Sequence, residues 1–228
     1  MKIFIDSADL DEIQQGYLWG VADGVTTNPS LLKQAVEKRV LTGKPLDLKA
    51  YINQILEVAG KTPVSLEVTE VTADKMFRQG QRLYELFNPT AGNVYIKIPV
   101  NPAFKAADST HFDGIITIKK LTGMGIPVNA TLIFTPEQAF LAAKAGAAFV
   151  SPFAGRIDDD IRKKAGLTVD KTAYYPAEGI QTDGAYLEDN GVISGIDLIE
   201  QCVQIIEHYN FKTEVLAGRF VKKPQTGS

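Results

Sequence analysis

The feature that most constrains this chain is a rhythm. Short apolar runs recur along it, and a helix-like stretch follows each one. The runs are Ile3-Phe4-Ile5, Gly24 to Thr27, Val64 to Val68, Val94 to Ile98, Val128 to Ile133, Ala148 to Phe153 and Glu214 to Ala217. Strands buried on both faces carry no polar side, so near-continuous apolar runs separated by helices point to a parallel sheet covered by helices. The helix starts are legible as well. Asn28-Pro29 is a cap followed by proline at the first helical position, and Asp47 can cap a helix that ends before Gly60. Thr135-Pro136-Glu137-Gln138 has the form of a capping box, and Gly146 can close that helix.

This order predicts an α/β fold, a TIM-type (β/α) barrel of parallel strands in a single domain, 1–228. Three features disturb it. Residues 101–113 form a long connection after the fourth strand. Residues 157–193 form a long polar insert, and long loops are usually functional or disordered. The tail 221–228 cannot supply an eighth strand and the helices after it, so the barrel is expected to lack them. Unpaired strand edges invite pairing with another chain, and a homo-oligomer is expected.

Composition excludes several functions. Apolar residues make up 45% and charged residues 22%, enough for an ordinary core. The net charge is −3 with no dense basic run, so nucleic acid is not an expected partner. No apolar run reaches membrane-spanning length, and no membrane partner is expected. The lone cysteine, Cys202, rules out a disulfide within the chain, and a cytoplasmic protein is expected. His111 and His208 have no metal-ligand spacing, so no metal site is expected from them.

The chemistry sits where polar side chains interrupt the strands. Asp6 follows the first run, Asn28 the second and Ser151 the sixth, with Arg156 close behind. Glu67 and Lys97 lie near the ends of the third and fourth, and Asn129 and Thr131 alternate on the fifth. In a β/α barrel these C-terminal strand ends form the face that carries the active site. Lys97, between Ile96 and Ile98-Pro99, is the sharpest signal. Desolvation favours a neutral amine, which can attack a ketone and form a Schiff base. The bland alternative is a lysine reaching for the rim or paired with a carboxylate. Asp6 and Glu67 can serve as a general base and a water-polarising group; equally, Asp6 can cap the first helix and Glu67 neutralise Lys97.

The stretches Phe4-Ile5-Asp6-Ser7-Ala8, Gly24 to Ser30, Ile96-Lys97-Ile98-Pro99, Asn129-Ala130-Thr131-Leu132 and Ser151 to Arg156 occur in the order seen in one family. The chain resembles the small-subunit branch of the transaldolase family, which includes the fructose-6-phosphate aldolases. The resemblance implies class I aldol chemistry on sugar phosphates, without metal or organic cofactor. It makes Lys97 the Schiff-base lysine and Asp6 the base for the C4 hydroxyl. Glu67 and Thr131 hold the catalytic water. Asn28, Asn129 and Ser151 hold the dihydroxyacetone unit, and Arg156 binds phosphate. Glu67 and Phe153 are similar to the transaldolase branch, where the aldolase branch carries glutamine and tyrosine. The chain departs from the family at Ala217-Gly218-Arg219-Phe220, where a phosphate-holding serine is missing and Arg219 stands near its place, either as a substitute phosphate ligand or pointing outward. Transaldolase is therefore the expected activity. Fructose-6-phosphate aldolase and a non-catalytic sugar-phosphate-binding barrel are the alternatives.

Overall fold

The computed structural model describes residues 2–41, 47–166 and 175–218. The chain divides into two compact units, Met1–Asn129 and Ala130–Ser228.

In the first unit the elements are β1 (Phe4–Asp6), α1 (Leu10–Leu18), β2 (Gly24–Thr26), α2 (Pro29–Leu41), α3 (Leu48–Ala59), β3 (Val64–Glu67), α4 (Ala73–Ala91), β4 (Val94–Pro99) and α5 (Asp113–Gly123). β5 (Val128–Ile133) starts here. The strands pair in parallel and in chain order. Ile5 lies opposite Val25, Thr26 opposite Ser65, and Glu67 opposite Lys97. The Ile96 amide extends the ladder to the Pro127 carbonyl at 2.9 Å, just before β5.

β4 shows how the sequence sets the facing. Val94, Ile96 and Ile98 are buried, and their alternation puts them on one side of the strand. That side faces a helix, because a Cβ on Gly80 of α4 would lie 3.0 Å from Ile96 Cγ2. Tyr95 and Lys97 therefore face the opposite side. Each fully buried isoleucine contributes about 2 kcal/mol by leaving water, which is what keeps a strand carrying Lys97 in place. The helices start where the sequence says. Asn28 Oδ1 accepts from the Leu31 amide at 2.9 Å, and Asp47 Oδ1 from the Lys49 amide at 3.0 Å. α5 begins against β4 itself: a Cβ on Gly114 would lie 2.1 Å from the Pro99 carbonyl oxygen. Only glycine admits that approach.

In the second unit β5 ends and is followed by α6 (Pro136–Ala145), β6 (Phe149–Pro152), α7 (Ala154–Lys164), the hairpin β7 (Gln181–Thr182) and β8 (Ala185–Tyr186), α8 (Gly195–His208) and β9 (Glu214–Val215). β6 and β9 are parallel, with Val150 opposite Val215. The Phe153 amide bonds to the Ile133 carbonyl at 3.0 Å. The capping box at Thr135 forms in full, and Gly146 closes α6 in a left-handed conformation. Ile157 and Ile161 of α7 and Leu198, Cys202 and Ile206 of α8 are buried, and α8 packs against both α6 and α7.

Seven parallel strands in chain order, alternating with helices, are the expected β/α barrel type of fold. No eighth parallel strand occurs in the main sheet among the described residues. No described helix is long and apolar enough to cross a membrane.

Candidate active site

Lys97 lies within the strand layer, its side chain only 7% exposed, and Glu67 beside it is 16% exposed. Register makes the pair, since Glu67 and Lys97 are Cα partners on adjacent strands and their side chains share a side. Lys97 Nζ lies 3.3 Å from Glu67 Oε2 and 3.4 Å from the Thr27 carbonyl oxygen. Buried charges need such partners, because each costs several kcal/mol to take out of water.

Asp6, at the end of β1, accepts from Thr26 Oγ1 at 2.8 Å. It does not cap α1: Asp9 does, accepting from the Asp11 amide at 3.0 Å. The helix-cap alternative for Asp6 is therefore set aside. Asn28 does cap its helix, α2, whatever else it does. Asn129 is fully buried, and its Nδ2 donates to Ser65 Oγ at 3.1 Å. β3 and β5 are separated by β4, and strands two apart lie about 9.5 Å apart in a flat sheet. Two short side chains meet across that gap only where the sheet curls toward them. The Lys97 side of this unit is therefore concave. Ser65 and Thr27 do not stand out from the pattern of their strands. The available signal was period two, which places Ser65 on the same side as Glu67.

The second unit carries Thr131, Ser151 and Arg156. Thr131 is fully buried, and its Oγ1 has no hydrogen-bond partner among the described residues. A lone buried hydroxyl is uncommon and suits a bound water. The next residue, Leu132, has φ +58°. A left-handed leucine costs about 1–2 kcal/mol, so the bend directly after Thr131 is held by its surroundings. Ser151 is buried in β6. Arg156 is exposed in the first turn of α7, its guanidinium carbon 5.4 Å from the centre of the Phe153 ring. Phe153 in turn packs on Phe134, with ring centres 5.9 Å apart. α7 has no acidic residue in its first turn. Arg219 lies outside the described residues.

Other reactive groups are occupied elsewhere. His111 is engaged with Asn101 at 3.3 Å and the Ala106 carbonyl at 3.1 Å, within its own loop. Cys202 is fully buried, and burial, with the charge of Glu137 adding, pushes its thiol up to about 12. It is no nucleophile at neutral pH. Among the described residues no group of three or more His, Cys, Asp or Glu is placed to hold a metal ion.

The family model described as Transaldolase/Fructose-6-phosphate aldolase matches residues 3–226. A "Probable transaldolase" from Chlorobium limicola is 39% identical over 230 residues, covering 99% of this chain and 80% of its own. Proteins of the same description from Aquifex aeolicus and Bdellovibrio bacteriovorus are 37% and 38% identical, covering 96% of this chain and 75% and 76% of theirs. A mandelate oxidase structure aligns with a TM-score of 0.45 at 14% identity, over 95% of this chain and 55% of that one, too weakly to bear on the fold. A buried lysine paired with a carboxylate at a concave strand-end face, carried on a chain with this match, places the protein in the transaldolase/fructose-6-phosphate aldolase family.

Proposed function

We propose that this chain is a transaldolase, moving a dihydroxyacetone unit from a ketose phosphate to an aldose phosphate through a Schiff base on Lys97. The observation that carries the reading is the buried pair, with Lys97 Nζ 3.3 Å from Glu67 Oε2. Lys97 gives its proton toward Glu67 and attacks the C2 carbonyl of the ketose. Loss of water from the adduct leaves the Schiff base. Asp6 then takes the proton of the C4 hydroxyl, the C3–C4 bond breaks, and the first aldose departs. The electron pair stays on C3, stored as the enamine of Lys97. The enamine attacks the aldehyde of the acceptor, Asp6 returns its proton to the new hydroxyl, and water releases the product ketose from the lysine. Neither metal nor organic cofactor enters these steps.

Asn28, Asn129 and Ser151 are assigned to the hydroxyls of the three-carbon unit. The solitary Thr131 hydroxyl is assigned to a water used in proton transfer. Arg156 and the acid-free first turn of α7 are assigned to the phosphate, which pairs well with a guanidinium fork at a helix N-terminus.

The test is borohydride reduction in the presence of a ketose phosphate, with the modified lysine mapped by mass spectrometry. Labelling at Lys97 supports the reading; reduction that marks no lysine, or only surface ones, ends it. The second reading is fructose-6-phosphate aldolase. Glu67 and Phe153 favour transfer, because the aldolase branch resembles this chain with an amide and a phenol at those positions. Fructose 6-phosphate supplied without acceptor is expected to release little free dihydroxyacetone.

A further inference from the structure

We infer that Ser65 is a positioning residue of the Lys97 site, which sets the orientation of the Asn129 amide. Ser65 is fully buried on β3, two residues before Glu67 and on the same side of the strand. It joins three parts of the unit. Its hydroxyl accepts from Asn129 Nδ2 at 3.1 Å. Its carbonyl oxygen accepts from the Thr27 amide at 3.1 Å and from Thr27 Oγ1 at 2.9 Å. The Thr27 carbonyl is in turn the one at 3.4 Å from Lys97 Nζ.

The Asn129 amide has two ends of similar size and opposite sense, a donor and an acceptor. Rotation by half a turn exchanges them. A group assigned to sugar hydroxyls must present one end consistently, and the bond to Ser65 ties down Nδ2 and directs Oδ1 away from β3. Without the serine hydroxyl, the buried Nδ2–H loses this acceptor and the amide loses its tie to β3. The consequence falls on binding of the three-carbon unit, whereas Lys97 keeps Glu67 and the Thr27 carbonyl. This inference rests on the proposed reading of Asn129.

A double-mutant cycle of Ser65→Ala and Asn129→Ala, read in steady-state kinetics, tests it. Ser65→Ala is expected to raise the ketose KM about tenfold, the worth of one hydrogen bond, and to leave kcat within about twofold. The acceptor KM stays as it is. The double variant is expected to be no worse than Asn129→Ala alone, since Ser65 acts through Asn129. An unchanged ketose KM in Ser65→Ala, or two effects that simply multiply, overturns the inference. If Ser65→Ala does not fold, Ser65→Cys enters the same cycle, with its larger and weakly accepting side chain and the same criteria. Borohydride labelling of the unmodified protein keeps the two ideas apart. Labelled Lys97 with uncoupled variants sinks only the role of Ser65, and unlabelled Lys97 sinks the Schiff-base reading itself.

Discussion

Lys97 and Glu67 illustrate how little room a buried charge leaves for compromise. The lysine is nearly buried within β4, so it depends on the residue across the ladder, and the register supplies a carboxylate there. Glu67→Gln keeps the size and a hydrogen bond to the amine but removes the proton acceptor. It is expected to lower kcat about 10²- to 10⁴-fold, the usual worth of acid–base assistance, while borohydride still labels Lys97 slowly. Labelling lost together with turnover would show that Glu67 holds the lysine in place and does no proton transfer. Lys97→Met fills much the same volume and is expected to abolish turnover while far-ultraviolet circular dichroism stays native. Both residues were visible in the sequence because a charge inside an apolar strand breaks its pattern. Ser65 was not, because a serine breaks no pattern, and its partner Asn129 reaches it past an intervening strand.

At the scale of elements, start signals were more legible than lengths. Asn28, Asp47 and Thr135 cap their helices with the side chains the sequence suggested. The sixth strand, by contrast, covers only Phe149–Pro152 of the apolar run from Ala148 to Phe153. α7 continues to Lys164, into the polar stretch after Arg156, where charged residues on its outer side hid a buried stripe of Ile157 and Ile161. Within that stretch the β7–β8 hairpin turns at Asp183-Gly184, both in the left-handed region at φ +54° and +81°. The Asp-Gly signal was present, but the flanking strands are exposed and carry no apolar alternation. Two measurements follow at this scale. Thr135→Ala removes a capping box and is expected to cost about 1 kcal/mol in urea denaturation. Gly195→Ala would place a Cβ 2.2 Å from the Ala154 carbonyl oxygen, where backbone cannot give way cheaply. It is expected to cost about 2 kcal/mol or more, and a loss under about 0.5 kcal/mol would show that α8 is free to shift.

For the whole molecule, stability is expected to fall on the alkaline side. Burial and the charge of Glu137 raise the Cys202 thiol from 9.0 to about 12. The unfolded chain then gives up that proton first, so the contribution is complete below about pH 9 and is lost as pH rises toward about 12. The slope over that window is about 1.4 kcal/mol per pH unit from this one group. Burial raises the Tyr17, Tyr51 and Tyr175 phenols in the same sense. Urea midpoints at pH 8 and pH 10 read the effect, and Cys202→Ala is expected to flatten the difference; equal falls in both proteins would assign it to the phenols. By itself, the sequence determined the alternation of parallel strands and helices, because burial on both faces writes apolar runs directly into the chain. It also determined which strands end in reactive side chains, since a polar residue there stands out against its neighbours. The tertiary structure alone decided which of those side chains meet. Strand register pairs Glu67 with Lys97, and the curl of the sheet brings Asn129 onto Ser65. Both are properties of packing between segments far apart in the chain, and no local pattern encodes them.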